Sequence, residues 1–349
     1  MHFFRRWINN SWFLALCTGL ALMFAVGLGQ AREYGKWNLL QQPQGSGEYL
    51  AYNIAYSGLL TGFVWKNLAD MAIYVKPKET DVNHHPVCQS VMRLSTENHS
   101  FAETFHPVRY EWIANNDPDL TFTRLVEIID SGKSGNHHVL WMDWPEQKIK
   151  VYRKRELKPV EEQQLSFLGD QWFETPKMAW EKDGKEAVPS FLLDYPPVNG
   201  GKLSYLIHDK TVNDIGDETA LEPLGALVLL RRHDFVKDSN LDLNITVDDE
   251  VKLYTAQYQD DQVLKIGQTT LPTIRLRITS KDEKGKSEGW MDVWLSKDAQ
   301  HLPVQYQVDA PVGKMRVQIT EASLKYNQKL GAGPVCYEHP GKKKVTARE

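Results

Sequence analysis

The stretch VWLSKDAQHLPVQYQVDAPVGKMRVQI, residues 293–319, alternates apolar and polar positions and breaks twice at short polar hinges. Alternation with a period of two marks a strand with one buried and one wet face. The hinges at 296–302 and 311–314 predict an antiparallel meander, with Pro303 opening a strand where a missing N–H costs least. The pattern recurs upstream. In TIRLRITS, Ile274, Leu276 and Ile278 face one way, and Arg275 and Arg277 the other. LDLNITV, VKLYTAQY, QVLKIG and GWMDVWLS read as further strands.

The first half gives the same signal. Over 49–56, Tyr52, Ile54 and Tyr56 share a face; Gly58 and Gly62 then bracket a turn, and GFVWKNLADMAIYV returns as a second strand. Strands are expected over 91–95, 108–113, 120–129, 138–144 and 149–153. The turns between several of them carry Asn-Asp-Pro, Ser-Gly-Lys-Ser-Gly and Trp-Pro-Glu-Gln. Residues 155–215 hold Pro176, Pro189, Pro196, Pro197, Gly200 and Gly201, and read as a loop-rich insertion on a β framework.

One segment changes period. In DETALEPLGALVLLRRHDF, Leu221, Leu224, Leu227 and Val228 fall on one helical face, which predicts a helix over about 221–232. Thr219 and Glu222 have capping-box spacing, while Pro223 suits a first helical residue. This helix reads either as a core helix packed on a sheet or as a plug over a cavity.

Composition bounds the class. The chain has 349 residues, 42% hydrophobic and 25% charged, which suffices for a sizeable core. Net charge is −4, and Arg5 and Arg6 are the only charges before Ala31, so the remainder carries −6. A nucleic-acid binder should show a basic excess, so none is expected as a partner. GKKK from Gly341 reads as part of a solvated basic tail, residues 328–349.

The arginine pair precedes the apolar run SWFLALCTGLALMFAVGLG and then Gly29-Gln30-Ala31, which predicts a secretory signal peptide cut after Ala31. The run is near bilayer-spanning length, so an uncleaved inner-membrane anchor is the alternative. Residues 32–46 then form a linker, and a single β-rich domain occupies 47–327. Beyond the signal only Cys88 and Cys336 remain. In an oxidising compartment they read as one disulfide, with two unpaired thiols as the alternative.

Motifs for catalysis do not assemble. GKS at Gly132–Ser134 lacks the upstream glycine of a phosphate loop, because Glu127 stands there. His84-His85 and His137-His138 point to opposite faces within each pair, so no metal or other cofactor is assigned. No G-x-S-x-G occurs, and no catalytic residue is assigned. Aromatic content stands out, with 11 Trp, 14 Tyr and 12 Phe. Trp290 and Trp294 share a strand face opposite Met291, Val293 and Leu295.

These features resemble a known family. Tyr52, Tyr56, Gly58 and Gly62 fit Y-x-x-x-Y-x-G followed by a turn and glycine. Val293 to Val304 fit V-W-L-S-x-D-x-x-x-L-P-V, with Gly313 before a closing strand. With a signal peptide and a leucine-rich helix, the chain resembles the domain-of-unknown-function 3108 family of exported bacterial proteins over about 47–322. The resemblance implies a curved antiparallel half-barrel, like that of periplasmic lipoprotein carriers, with helices on its concave side. It brings no established activity. The expectation is a mainly β periplasmic protein that binds a lipid or other apolar molecule without catalysis, its cavity walled by Tyr52 or Tyr56 and by Trp290 or Trp294. The alternatives are an envelope interaction protein using sheet edges and aromatic patches on a protein partner, and a hydrolase with its site in 155–215.

Overall fold

Two antiparallel meanders lie side by side and share one sheet. The computed structural model describes residues 48–80, 86–105, 107–130, 137–156, 204–213, 215–216, 219–247, 250–281, 287–298, 300–310 and 312–320. The expected signal peptide, linker, C-terminal tail, His84-His85 and the GKS turn lie outside the described residues, as does most of the 155–215 insertion.

The first meander comprises β1 (Glu48–Gly58), β2 (Lys66–Thr80), β3 (Pro86–Ser95), β4 (Arg109–Asn116), β5 (Thr123–Asp130), β6 (His137–Asp143), β7 (Lys148–Glu156) and β8 (Ser204–Asn213). The second comprises β9 (Asn240–Val247), β10 (Glu250–Ile266), β11 (Thr269–Lys281), β12 (Ser287–Ser296), β13 (Pro303–Ala310) and β14 (Gly313–Ile319). Each strand pairs with its sequence neighbour. The one join between meanders is β1 with β14, giving the order β8-β7-β6-β5-β4-β3-β2-β1-β14-β13-β12-β11-β10-β9. The sheet is curved and unclosed, as the sequence pattern and the family resemblance indicate.

The join explains the glycines of the family-like motif. Tyr52 stands opposite Ile319, Tyr56 opposite Met315, and Gly58 opposite Gly313. A Cβ on Gly58 would lie 2.2 Å from the Val312 carbonyl oxygen, and one on Gly313 would lie 2.3 Å from that of Ser57. The two strands can close at this end only without those side chains.

Three differences from the sequence pattern appear. Residues 204–213 form β8, paired with β7 from Lys148↔Asn213 to Glu156↔Ser204, although the Pro- and Gly-rich composition around them reads as loop. VKLYTAQY and QVLKIG belong to one strand, β10, which bends at a bulge near Tyr258 instead of turning. A one-and-a-half-turn helix, α1 (Ser100–Phe105), stands in the β3–β4 connection, where no element is expected.

The helix α2 spans Pro223–Leu230, shorter than 221–232. Glu222, not Thr219, is its N-cap, and Pro223 holds the first helical position. Leu221 lies outside the helix and bridges Ile245 of β9 in parallel fashion. Leu224, Gly225, Ala226, Val228 and Leu230 are all buried, so α2 buries more than one face, as an interior helix does. The main core fills the concave side around it and includes Leu50, Tyr52, Ile54 and Tyr56 of β1. A smaller cluster of Tyr49, Ala51, Ala72, Tyr74 and Val91 forms on the opposite face, as strand alternation requires.

Candidate ligand cavity beneath the buried helix

The segment entering α2 ties distant parts of the sheet together. The Thr123 amide of β5 donates to the Ala220 carbonyl at 3.0 Å. One residue on, the Leu221 amide donates to Asn244 and its carbonyl accepts from Thr246, both on β9. The opening between the fourth and last strands of the sheet order is thus bridged by 220–222, and α2 follows inside it.

Glu222 fixes the start of α2. Its side chain is buried and accepts from the amides of Leu224 and Gly225 at 2.7 and 2.5 Å, from Trp112 Nε1 at 3.1 Å and from Asn116 Nδ2 at 3.2 Å. Its own amide donates to Thr123 Oγ1 at 2.7 Å, and that hydroxyl donates to Asn116 Oδ1. A carboxyl at a helix N-terminus satisfies amides that otherwise lack partners. Burial raises its pKa to about 7, against the opposing pull of the four hydrogen bonds.

Arg231 fixes the end. Its guanidinium makes a two-pronged pair with the Glu48 carboxylate of β1, at 2.6 and 2.9 Å, and donates to the Gln300 carbonyl. His301 Nδ1 lies 3.0 Å from the Arg231 carbonyl. A carboxyl at the N-terminus and a guanidinium at the C-terminus also suit the helix dipole.

Between α2 and the concave face lies a cavity of about 90 Å³. Its wall includes Leu227 and Leu230 of α2, Leu243 of β9, Met291 and Val293 of β12, and Tyr306 of β13. Ser280, Tyr254, Tyr306 and Trp290 are the lining residues with polar side-chain N or O atoms, and among the described residues no charged side chain lines it. Leu227, Met291 and Trp290 are only half-buried, so the cavity meets solvent on their side. Such a wall can bind apolar matter by burial; it presents no acid–base pair.

The four residues expected at the wall take different places. Trp290 borders the cavity, with the Arg277 guanidinium 4.3 Å from its ring centroid. Tyr52 stands one layer behind. Its hydroxyl donates to the Pro303 carbonyl, and its ring packs 5.9 Å from that of Tyr306, which does line the wall. Tyr56 donates to the Val312 carbonyl at the β1–β14 join. Trp294 is buried on the strand face away from Val293, beside Arg275 and Gln305 in register, and its Nε1 donates to Gln262. Tyr52, Tyr56 and Trp294 are therefore not brought together at the cavity. The residues that are, Leu227, Met291 and Tyr306, carry ordinary core identities; their signal was the helical and strand periodicity.

The other sequence candidates stay apart from this site. His137 meets Glu127, while His138, on the opposite face of β6, has its pKa lowered by burial and then by Arg153. No group of three or more His, Cys, Asp or Glu side chains converges among the described residues. Cys88 is buried in β3, and Cys336 lies outside the described residues.

Residues 195–320 match the family described as protein of unknown function DUF3108, the one that the sequence motifs resemble. No curated protein matches the chain. Among solved structures, the chain is similar to a β-barrel-like protein of domain of unknown function DUF1849 from Brucella abortus, at 9% identity and a TM-score of 0.40, covering 78% of this chain and 95% of that one. It is also similar to a candidate lipoprotein from Parabacteroides distasonis, at 9% identity and a TM-score of 0.23, covering 78% and 94%.

Proposed function

We propose that this protein is a non-enzymatic carrier of an apolar molecule, a lipid or acylated compound, held between α2 and the concave face of the sheet. The observation that carries the reading is the cavity wall, which is lined mainly by apolar side chains and, among the described residues, by no charged one. Burial of a ligand chain there contributes on the order of 25 cal/mol per Å² removed from water. A space of about 90 Å³ takes only part of an acyl chain, so a whole lipid requires α2 to shift outward. In this reading α2 is a plug that competes with the ligand, and its two polar anchors set how readily it yields.

The protein acts in the periplasm, reached through a signal peptide removed after Ala31; N-terminal sequencing that starts at Arg32 supports this, and a chain still starting at Met1 makes it a membrane-anchored domain. Native mass spectrometry before and after organic extraction tests the carrier. An extractable apolar adduct supports it, and bare protein in every preparation overturns it. A second reading, an envelope interaction protein, is favoured by the sheet order, which leaves β8 and β9 as edges among the described residues.

A further inference from the structure

The β1–β2 and β13–β14 hairpins end side by side. The Leu59 amide donates to the Val312 carbonyl, and Gly58 stands opposite Gly313. At this shared tip Leu59, Phe63, Val64 and Val312 are 66%, 70%, 63% and 51% exposed. Isolated exposed apolar residues are ordinary, but four on adjoining turns form a patch.

The tip is closed by its own hydrogen bonds. Leu59–Thr61 is a 3₁₀ turn closed by Gly62, the Phe63 amide donates to the Gly58 carbonyl at 2.8 Å, and Ser57 Oγ donates to the Phe63 carbonyl at 2.8 Å. Phe63 sits at φ 61°, a left-handed conformation that bulky residues rarely adopt. Its ring gains no burial that would offset this strain.

Behind the apolar apex comes a cationic layer. Lys66 and Lys314 are exposed, and Arg316 lies with its guanidinium 4.4 Å from the Trp65 ring centroid. Arg316 Nε has no hydrogen-bond partner among the described residues. Residues 57–69 and 310–320 contain no acidic side chain; Asp309, opposite Lys314, is the nearest along the hairpin. At about 3.3 Å per residue, these cations lie several ångströms behind the apex. Apolar groups first, then tryptophan with arginine and lysine, is the layering of a bilayer interface.

We propose that the paired hairpin tips form a contact site for an anionic lipid bilayer, with Leu59, Phe63, Val64 and Val312 entering the acyl boundary and Lys66, Lys314 and Arg316 meeting headgroup phosphates. This site is separate from the cavity and stands whether or not the cavity holds a ligand. A membrane is favoured over a protein groove because the apolar residues sit on the turns that end two hairpins and the charge follows them in a layer. Three basic side chains should strengthen binding to anionic over neutral vesicles on the order of 100-fold.

Hydrogen–deuterium exchange of the full chain, with vesicles of phosphatidylcholine alone or mixed with phosphatidylglycerol, tests the proposal. The expected result is slowed exchange over 58–66 and 310–316 with the anionic vesicles, lost at high salt and in a Phe63→Asn, Val64→Asp variant. Asparagine accepts the left-handed backbone, so the variant keeps the turn. Exchange near the exposed Val263, within β10 opposite Pro272, should not change. Overturning results are a tip that exchanges equally with and without vesicles, even in protein bound to them, protection equal with neutral vesicles, or protection that survives the double substitution.

Discussion

Glu48 and Arg231 stand 183 residues apart in sequence and meet in a buried two-pronged ion pair, at 2.6 and 2.9 Å. Glu48 opens β1 and Arg231 caps the end of α2, so the pair ties the helix to the strand that joins the two meanders. Both groups have left water, so each is needed to satisfy the other.

Removing one partner should therefore be costly. Arg231→Met alone leaves the Glu48 carboxylate buried and unpaired, and is expected to lower unfolding free energy by about 3–5 kcal/mol. The double variant Glu48→Leu, Arg231→Met should recover most of that loss. Urea unfolding of the single and double variants decides it; additive losses would show that the two side chains act independently.

The other anchor gives a pH signature. Glu222 has a pKa near 7 in the folded chain against 4.5 as its ordinary value, with burial as the cause. The folded state therefore holds the proton more tightly than the unfolded chain. Its stabilising contribution is full below about 4.5, falls as pH rises toward 7, and is level above that. The decline amounts to about 3 kcal/mol at about 1.4 kcal/mol per pH unit. Urea midpoints of the protein and of Glu222→Gln, taken from pH 4.5 to 8, should diverge with the wild type losing more; parallel curves would place the titration elsewhere.

Gly225 lies in the first turn of α2, where alanine ordinarily stabilises a helix by about 1 kcal/mol. Here a Cβ would come 2.9 Å from Asn116 Oδ1. Asn116 cannot retreat without losing its bonds to Glu222 and Thr123. Gly225→Ala should thus destabilise, by about 1–3 kcal/mol, and a raised melting temperature would contradict the tight packing at this point.

Cys88 is proposed to pair with Cys336. A bridge closing so long a loop stabilises by roughly 4–5 kcal/mol in the chain-entropy model, less any strain. Thiol labelling of unfolded, unreduced protein lacking the leader should find neither cysteine reactive, and labelling of both would remove the bridge.

The strands were legible because alternation needs only local sequence. The meander over 293–319, its two hinges and the opening of β13 at Pro303 all stand where the pattern puts them. The helix was legible from its leucines, but its cap was not. Thr219 and Glu222 have the right spacing for one box, and only the donors from Trp112 and Asn116 show why Glu222 is the residue buried there. β8 was hidden because its strand signal follows a Pro- and Gly-rich stretch. Of the four residues expected at the cavity, Trp290 borders it, while Tyr52, Tyr56 and Trp294 lie away from it. Trp290 and Trp294 differ in face from Met291 and Val293, and alternation alone does not say which face is concave. Register does, since Arg275 and Arg277 stand opposite Trp294 and Asp292, which puts the tryptophans on the arginine face.

The carrier reading makes a prediction that separates the cavity from the core around it. Ala226 is buried on α2 and lines the cavity. Ala226→Leu adds three carbons into a space of about 90 Å³, leaving little for a ligand chain. Overpacking could cost about 1–3 kcal/mol, so melting is measured beside binding. Trp294→Phe is the comparison: it removes the hydrogen bond to Gln262 on the opposite face and leaves the cavity wall untouched. The expected outcome is loss of the apolar adduct in Ala226→Leu with a melting temperature within a few degrees of wild type, and an adduct retained in Trp294→Phe. An adduct that survives Ala226→Leu places the ligand elsewhere on the protein. A wild-type chain from which no apolar molecule can be extracted removes the carrier altogether and leaves the envelope interaction reading.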